Sequence, residues 1–120
     1  KEKLEKNELI IIAQIEHVDA VKNIEGILQV DQLDGIIIGP YDLSASMGYP
    51  GKYDREEVKK SLETVKEAGQ KANKTLGFHV IPSKGESLKE KISEGYNFLA
   101  FSLDFFFLAD RLNDELKKIT

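Results

Sequence analysis

A chain of 120 residues with 41% hydrophobic content is one domain's worth of sequence, enough for a buried core. A net charge of -4 and a pI near 5.2 exclude the basic footprint of a nucleic-acid binder, and the absence of cysteine excludes both a disulfide framework and a thiolate metal site. No apolar run approaches the roughly 20 residues that span a bilayer, and the charged amino end carries no evident signal peptide, so a cytoplasmic protein without membrane contact is expected.

In chain order, the charges of Lys1, Glu2, Lys3, Glu5 and Lys6 read as a solvated helical face, so residues 1–8 are expected to be the tail of a preceding helix. Leu9 to Ile15 is an apolar run of strand length that ends on an acid, Glu16. Val18, Val21, Ile24 or Glu25, and Leu28 then recur at three- and four-residue spacing, which predicts an amphipathic helix. A second strand is expected over Leu33 to Ile38, introduced by the turn residues Asp31 and Asp34-Gly35.

Gly39-Pro40 breaks that strand and delivers Tyr41-Asp42-Leu43-Ser44, after which Tyr41 to Tyr53 reads as a loop rich in Ser, Gly and Pro. Asp54 with Glu57 has capping-box spacing for a helix with Val58, Leu62, Val65, Gly69 and Ala72 on one face. Leu76 to Ile81 is the third strand. Ser87 with Glu90 offers a second capping box for a helix with Leu88 and Ile92 inward, stopped at Gly95. A fourth strand, Phe98 to Leu103, leads to Asp104 and a last helix carrying Leu108, Leu112, Leu116 and Ile119.

The order is βαβαβαβα, a single domain over residues 1–120. Strands joined by helical crossovers pair in parallel, and four such strands alone leave two open edges and one uncovered sheet face. A small doubly wound sheet and half of a (β/α)8 barrel both resolve that problem. Gln14, Glu16, His79, Ser102 and Asp104 alternate with large apolar residues (Ile11, Ile15, Phe78, Leu99, Phe101 and Leu103). A polar set facing a barrel interior and an apolar set facing helices favours the α/β half barrel, a parallel (βα)4 unit of a TIM-type fold.

Glu16 and Asp42 then emerge at the carboxyl ends of neighbouring strands, the edge at which α/β proteins bind ligands. With no Lys or Arg directly adjacent in sequence, two such acids repel unless a cation lies between them, and a divalent metal is the simplest candidate; acids at strand ends also serve as caps. Asp104 reads equally as a rim acid or as a cap of the last helix. Ser44 and Ser46 lack a base at fixed spacing, which argues against a nucleophilic serine. The Phe105-Phe106-Phe107 run reads as packing or a subunit contact, His17 as a bland rim residue and His79 as a hydrogen-bonded interior one.

Gln14-Ile15-Glu16, Ala20 to Asn23, Asp34-Gly35-Ile36-Ile37-Ile38-Gly39-Pro40-Tyr41-Asp42-Leu43-Ser44 and Ser46-Met47-Gly48 together resemble the HpcH/HpaI aldolase and citrate lyase family. The likeness extends through Gly77 and Ser102-Leu103-Asp104 and corresponds to the second half of that family's barrel. It implies that Glu16 and Asp42 bind one Mg2+ or Mn2+, that Gly39, Pro40, Tyr41 and Asp42 contact substrate, and that the Tyr41 and Asp42 amides hold the substrate carboxylate. The reaction it implies joins pyruvate, as its enolate, to an aldehyde, or runs in reverse. It also implies an oligomer, and a histidine and an arginine from the first half of the barrel, without which this chain alone turns over poorly. An acyl-CoA lyase of the citrate lyase branch and a non-catalytic, self-associating half barrel are the alternatives.

Overall fold

The computed structural model describes residues 9–119. The expected helical tail over residues 1–8 lies outside them. Four strands, β1 (Ile12–Ile15), β2 (Gly35–Ile38), β3 (Thr75–Val80) and β4 (Phe98–Phe101), form one sheet in chain order. Every neighbouring pair is parallel. β1, β2 and β4 are shorter than their apolar runs, with Leu9, Ile10, Ile11, Leu33 and Leu103 outside the strands, and β3 begins and ends one residue earlier than expected.

The connections are helical. Between β1 and β2 the single expected helix is two short ones, α1 (Val18–Lys22) and α2 (Ile24–Leu28). Asn23 separates them with φ -106° and ψ 19°, a turn rather than a helical conformation. The break does not disturb the stripe: Val21, Ile24 and Leu28 are buried and Glu25 is exposed. After β2 comes α3 (Pro40–Ser46), where a loop was expected. Pro40 at the first helical position explains it, since its fixed φ suits that position and its missing N–H would have had no partner there.

Helix α4 (Glu56–Lys71) precedes β3, α5 (Gly85–Ser93) precedes β4, and α6 (Asp104–Lys117) closes the chain. Neither expected capping box forms. Arg55 and Lys84 occupy the N-cap positions without side-chain caps, which leaves Glu57 in the first turn of α4 and Ser87 inside α5. Gly95 ends α5 as expected, with φ +96°, a conformation that costs glycine little.

The core lies on one side of the sheet. Ile15, Ile36, Ile38, Leu76, Phe78 and Val80 pack with Val21, Ile24 and Leu28 from the first connection and with Val65 and Ala68 from α4. One inward assignment fails, and the apolar residues of the last helix are uncovered. Ile92 is 60% exposed, and Leu108, Leu112, Leu116 and Ile119 all lie open, so α6 has no buried residue. Helix α6 leans on the body through Phe107, whose ring meets that of Phe101 edge-on at 4.9 Å.

The opposite face is concave in composition. Laterally, Ile12, Gly35 and Thr75 share one row, and Gln14, Ile37, Gly77 and Phe98 share the next. Gly35 lies between the larger Ile12 and Thr75, and Gly77 between Ile37 and Phe98. The fit is tight: a Cβ on Gly77 would lie 2.8 Å from Phe98 Cδ1 and 2.9 Å from Ile37 Cβ. Layers in which alternate strands contribute the bulk are how a (β/α)8 barrel fills its interior. The sheet is half of such a barrel, with β1 and β4 as its edges.

Candidate active site

One residue past the end of the β1–β2 ladder the backbone still holds register, Gly39 N donating to the Ile15 carbonyl at 3.0 Å. There the missing side chain matters. A Cβ on Gly39 would stand 3.0 Å from Gln14 Nε2, 3.3 Å from Glu16 Cβ and 3.5 Å from Glu16 Oε2. Glycine therefore lets the Gln14 amide and the Glu16 carboxylate lie against the turn that carries Asp42. Gln14 Nε2 donates to Glu16 Oε2 at 2.6 Å, fixing the carboxylate.

Asp42 lies three residues further on, in the first turn of α3. Leu43 and Ser44 hold that turn in place. Leu43 is fully buried, and its N–H donates to the Gly39 carbonyl at 3.0 Å. The buried Ser44 hydroxyl donates to the Tyr41 carbonyl at 2.7 Å and accepts from Gly51 N at 3.0 Å, tying the following loop to the helix. Ser46 Oγ donates to the Leu43 carbonyl at 2.7 Å and accepts from Val18 N at 3.0 Å. Both serines are structural, in keeping with the absence of a partner base.

Among the described residues, no Lys or Arg lies within ion-pair distance of Glu16 or Asp42, and no group of three or more Asp, Glu, His or Cys stands where it could hold a metal ion. Two carboxylates with oxygen donors suit a hard divalent cation whose remaining positions go to water or substrate.

Asp42 also lines a cavity of about 270 Å³ with Gly39, Pro40, Tyr41 and His79, walled by Ile81, Leu103, Phe105 and Phe106. Gly39 links this space to Glu16. His79 Nε2 lies 3.2 Å from the Ser102 carbonyl, and since a carbonyl only accepts, that nitrogen carries the proton. His17 is the N-cap of α1, with Nδ1 accepting from Asp19 N at 3.2 Å. Asp104 occupies the first position of α6 and its Oδ1 accepts from Phe105 N at 2.8 Å, so its carboxylate serves the helix start.

Tyr53 is the residue the sequence did not flag. Burial, with the Tyr41 hydroxyl and the Asp42 carboxylate nearby, holds its phenol above the ordinary range, protonated beside Asp42. Only the turn between Pro50 and Asp54 could have hinted at it. A larger cavity of about 520 Å³ lies between α4 and α5, but its lysines are already paired, Lys59 with Glu56 at 3.0 Å and Lys91 with Glu94 at 2.8 Å. Tyr53 lines this larger cavity, and Pro40, His79 and Ile81 line both.

Comparison with known proteins places the fold. The chain is 34% identical over 108 residues to a 2-keto-3-deoxy-L-rhamnonate aldolase of Escherichia coli O6:K15:H31 (strain 536 / UPEC), a match covering 90% of this chain and 40% of that protein. Among solved structures, an HpcH/HpaI aldolase from Desulfitobacterium hafniense DCB-2 superposes with a TM-score of 0.86 at 31% identity, over 98% of this chain and 45% of that one. The citrate synthase SbnG superposes at 0.81 with 26% identity, over 97% and 46%. The chain thus spans less than half the length of the proteins it matches. With the family profile matching residues 1–110, the chain belongs to the HpcH/HpaI aldolase/citrate lyase family.

Proposed function

We propose that this chain supplies the metal- and 2-oxo-acid-binding rim of a carbon–carbon lyase that cleaves a 4-hydroxy-2-oxo acid to pyruvate and an aldehyde, or joins the two. The Gly39 junction carries the reading: it lays the Gln14-held Glu16 carboxylate against the turn bearing Asp42. Mg2+ or Mn2+ held by Glu16 and Asp42 would supply Lewis acidity at the 2-oxo group.

The chain's own residues do the positioning. Gln14 keeps one Glu16 oxygen oriented. The Tyr41 and Asp42 amides, in the first turn of α3, have no intrahelical acceptor and take the 2-oxo acid's carboxylate, with Gly39 and Pro40 leaving the approach open. In cleavage the C3–C4 bond breaks, the 4-hydroxyl loses its proton and C3 gains one. The acid–base histidine and the arginine for this step are those the family resemblance assigns to the other barrel half.

Identity favours the aldolase branch, at 34% and 31% to two aldolases against 26% to a citrate synthase. A second reading, a half barrel that self-associates without catalysis, draws on the open edges of β1 and β4. Pyruvate release from a 2-keto-3-deoxy sugar acid, measured with the first half of the barrel supplied, separates them. Release that requires Mn2+ and is lost in Glu16→Gln supports the lyase; release indifferent to both contradicts it.

A further inference from the structure

The cavity beside Asp42 has two unlike ends. At one stand Asp42 and the start of α3; at the other stand Ile81, Leu103, Phe105 and Phe106, and His79 lines the same cavity. Leu103, Phe105 and Phe106 are 40%, 56% and 37% exposed, and the Phe105 and Phe106 rings lie 4.5 Å apart.

Their position is built in by strain. Ser102 follows β4 with φ +56°, a conformation that a residue with a Cβ adopts at a cost. It is held there by its Oγ donating to the Ile81 carbonyl at 2.8 Å and by its buried position. The chain turns at Ser102 into Leu103 and α6. Of the phenylalanine run, Phe107 then packs on Phe101, while Phe105 and Phe106 stay with the cavity. The run is thus split between packing and the cavity wall.

We infer that Leu103, Phe105 and Phe106 form the acceptor wall of the site and select an aldehyde with an apolar or aromatic substituent over a hydroxylated one. This rests on the lyase reading. A 2-oxo acid anchored at Asp42 and α3 directs its growing end across the cavity, toward the apolar side. The wall offers no hydrogen-bonding side chain, so a hydroxylated acceptor would lose water contacts there without replacement, whereas an aryl group sheds apolar surface. The space of about 270 Å³ equals roughly nine waters at ~30 Å³ each, room for pyruvate and one small ring.

The test is binding, which does not require turnover. In the presence of Mn2+, dissociation constants of the chain are measured by NMR titration for pyruvate, 4-phenyl-2-oxobutanoate and 4,5-dihydroxy-2-oxopentanoate. The phenyl compound is expected to bind roughly tenfold tighter than pyruvate, and the dihydroxy compound no tighter. In a Leu103→Ala/Phe106→Ala variant the phenyl-to-pyruvate affinity ratio should fall to near one. Pyruvate binding with no phenyl gain in the wild-type chain overturns the wall and leaves the lyase reading standing, whatever the variant's folding. No pyruvate binding overturns both.

Discussion

At the scale of single residues, the site depends on an atom that is absent. Gly39 has φ -95°, which any residue tolerates, so an added methyl strains no backbone and acts only by pushing on Gln14 and Glu16. Gly39→Ala should therefore leave thermal stability within about 1 kcal/mol of wild type yet weaken Mn2+ binding at least roughly tenfold. Calorimetric titration beside a melting curve checks both halves. The placement of Glu16 and Asp42 beyond the ends of β1 and β2 was legible in the sequence because each follows a strand-length apolar run. Gln14's hold on Glu16, Ser102's left-handed turn and Tyr53's place beside Asp42 were not, because they depend on side-chain rotamers and a three-dimensional turn.

Tyr96 gives the clearest response to pH. Burial first, then the carboxylates of Glu94 and Glu63, raise its phenol above the ordinary value of 10.0. A raised pKa means the folded state keeps a proton that the unfolded state loses. The stability this contributes is complete below about pH 10 and drains away as pH rises beyond it. Melting temperatures between about pH 9 and 11 should fall faster for wild type than for Tyr96→Phe; parallel curves would contradict this.

Among the elements, α3 was the one missed. A seven-residue helix is too short to display periodicity, and Ser, Gly and Pro nearby read as loop. Its stability comes from burial of Leu43 and from the Ser44 hydroxyl rather than from propensity. Leu43→Ala should cost about 2–5 kcal/mol in denaturant unfolding, with loss of Mn2+ affinity in the fraction that remains folded. A cost below 1 kcal/mol would show that α3 is held otherwise. The capping boxes misled because spacing alone does not fix a helix start: the helices begin at Glu56 and Gly85, after Arg55 and Lys84. By contrast the long periodic stretch of α4 was correct at Val58, Val65 and Gly69, since an amphipathic helix over a sheet has one way to face.

For the whole molecule, the four parallel strands followed from the helical crossovers between them, and alternation favoured the half barrel, because residues on one strand face must share an environment. What alternation did not reveal is that α6 would lie open. The radius of gyration is 16.9 Å, against roughly 13.6 Å for a compact domain of this length. The extended shape exposes Leu108, Leu112 and Leu116 on α6 and leaves β1 and β4 unpaired at the sheet edges. Surfaces of that kind associate. This chain on its own should elute as an oligomer at micromolar concentration, and Leu108→Glu/Leu112→Glu should shift it toward its 13.5 kDa monomer. A monodisperse wild-type monomer by light scattering would contradict the prediction.

The most direct measurement is calorimetric titration of Mn2+ into the chain, with and without pyruvate, beside a Glu16→Ala/Asp42→Ala variant. A preformed two-carboxylate site predicts binding that pyruvate tightens and the double variant abolishes. A folded wild-type chain that binds no Mn2+, or a variant that binds as well as wild type, would show that Glu16 and Asp42 are not a metal site.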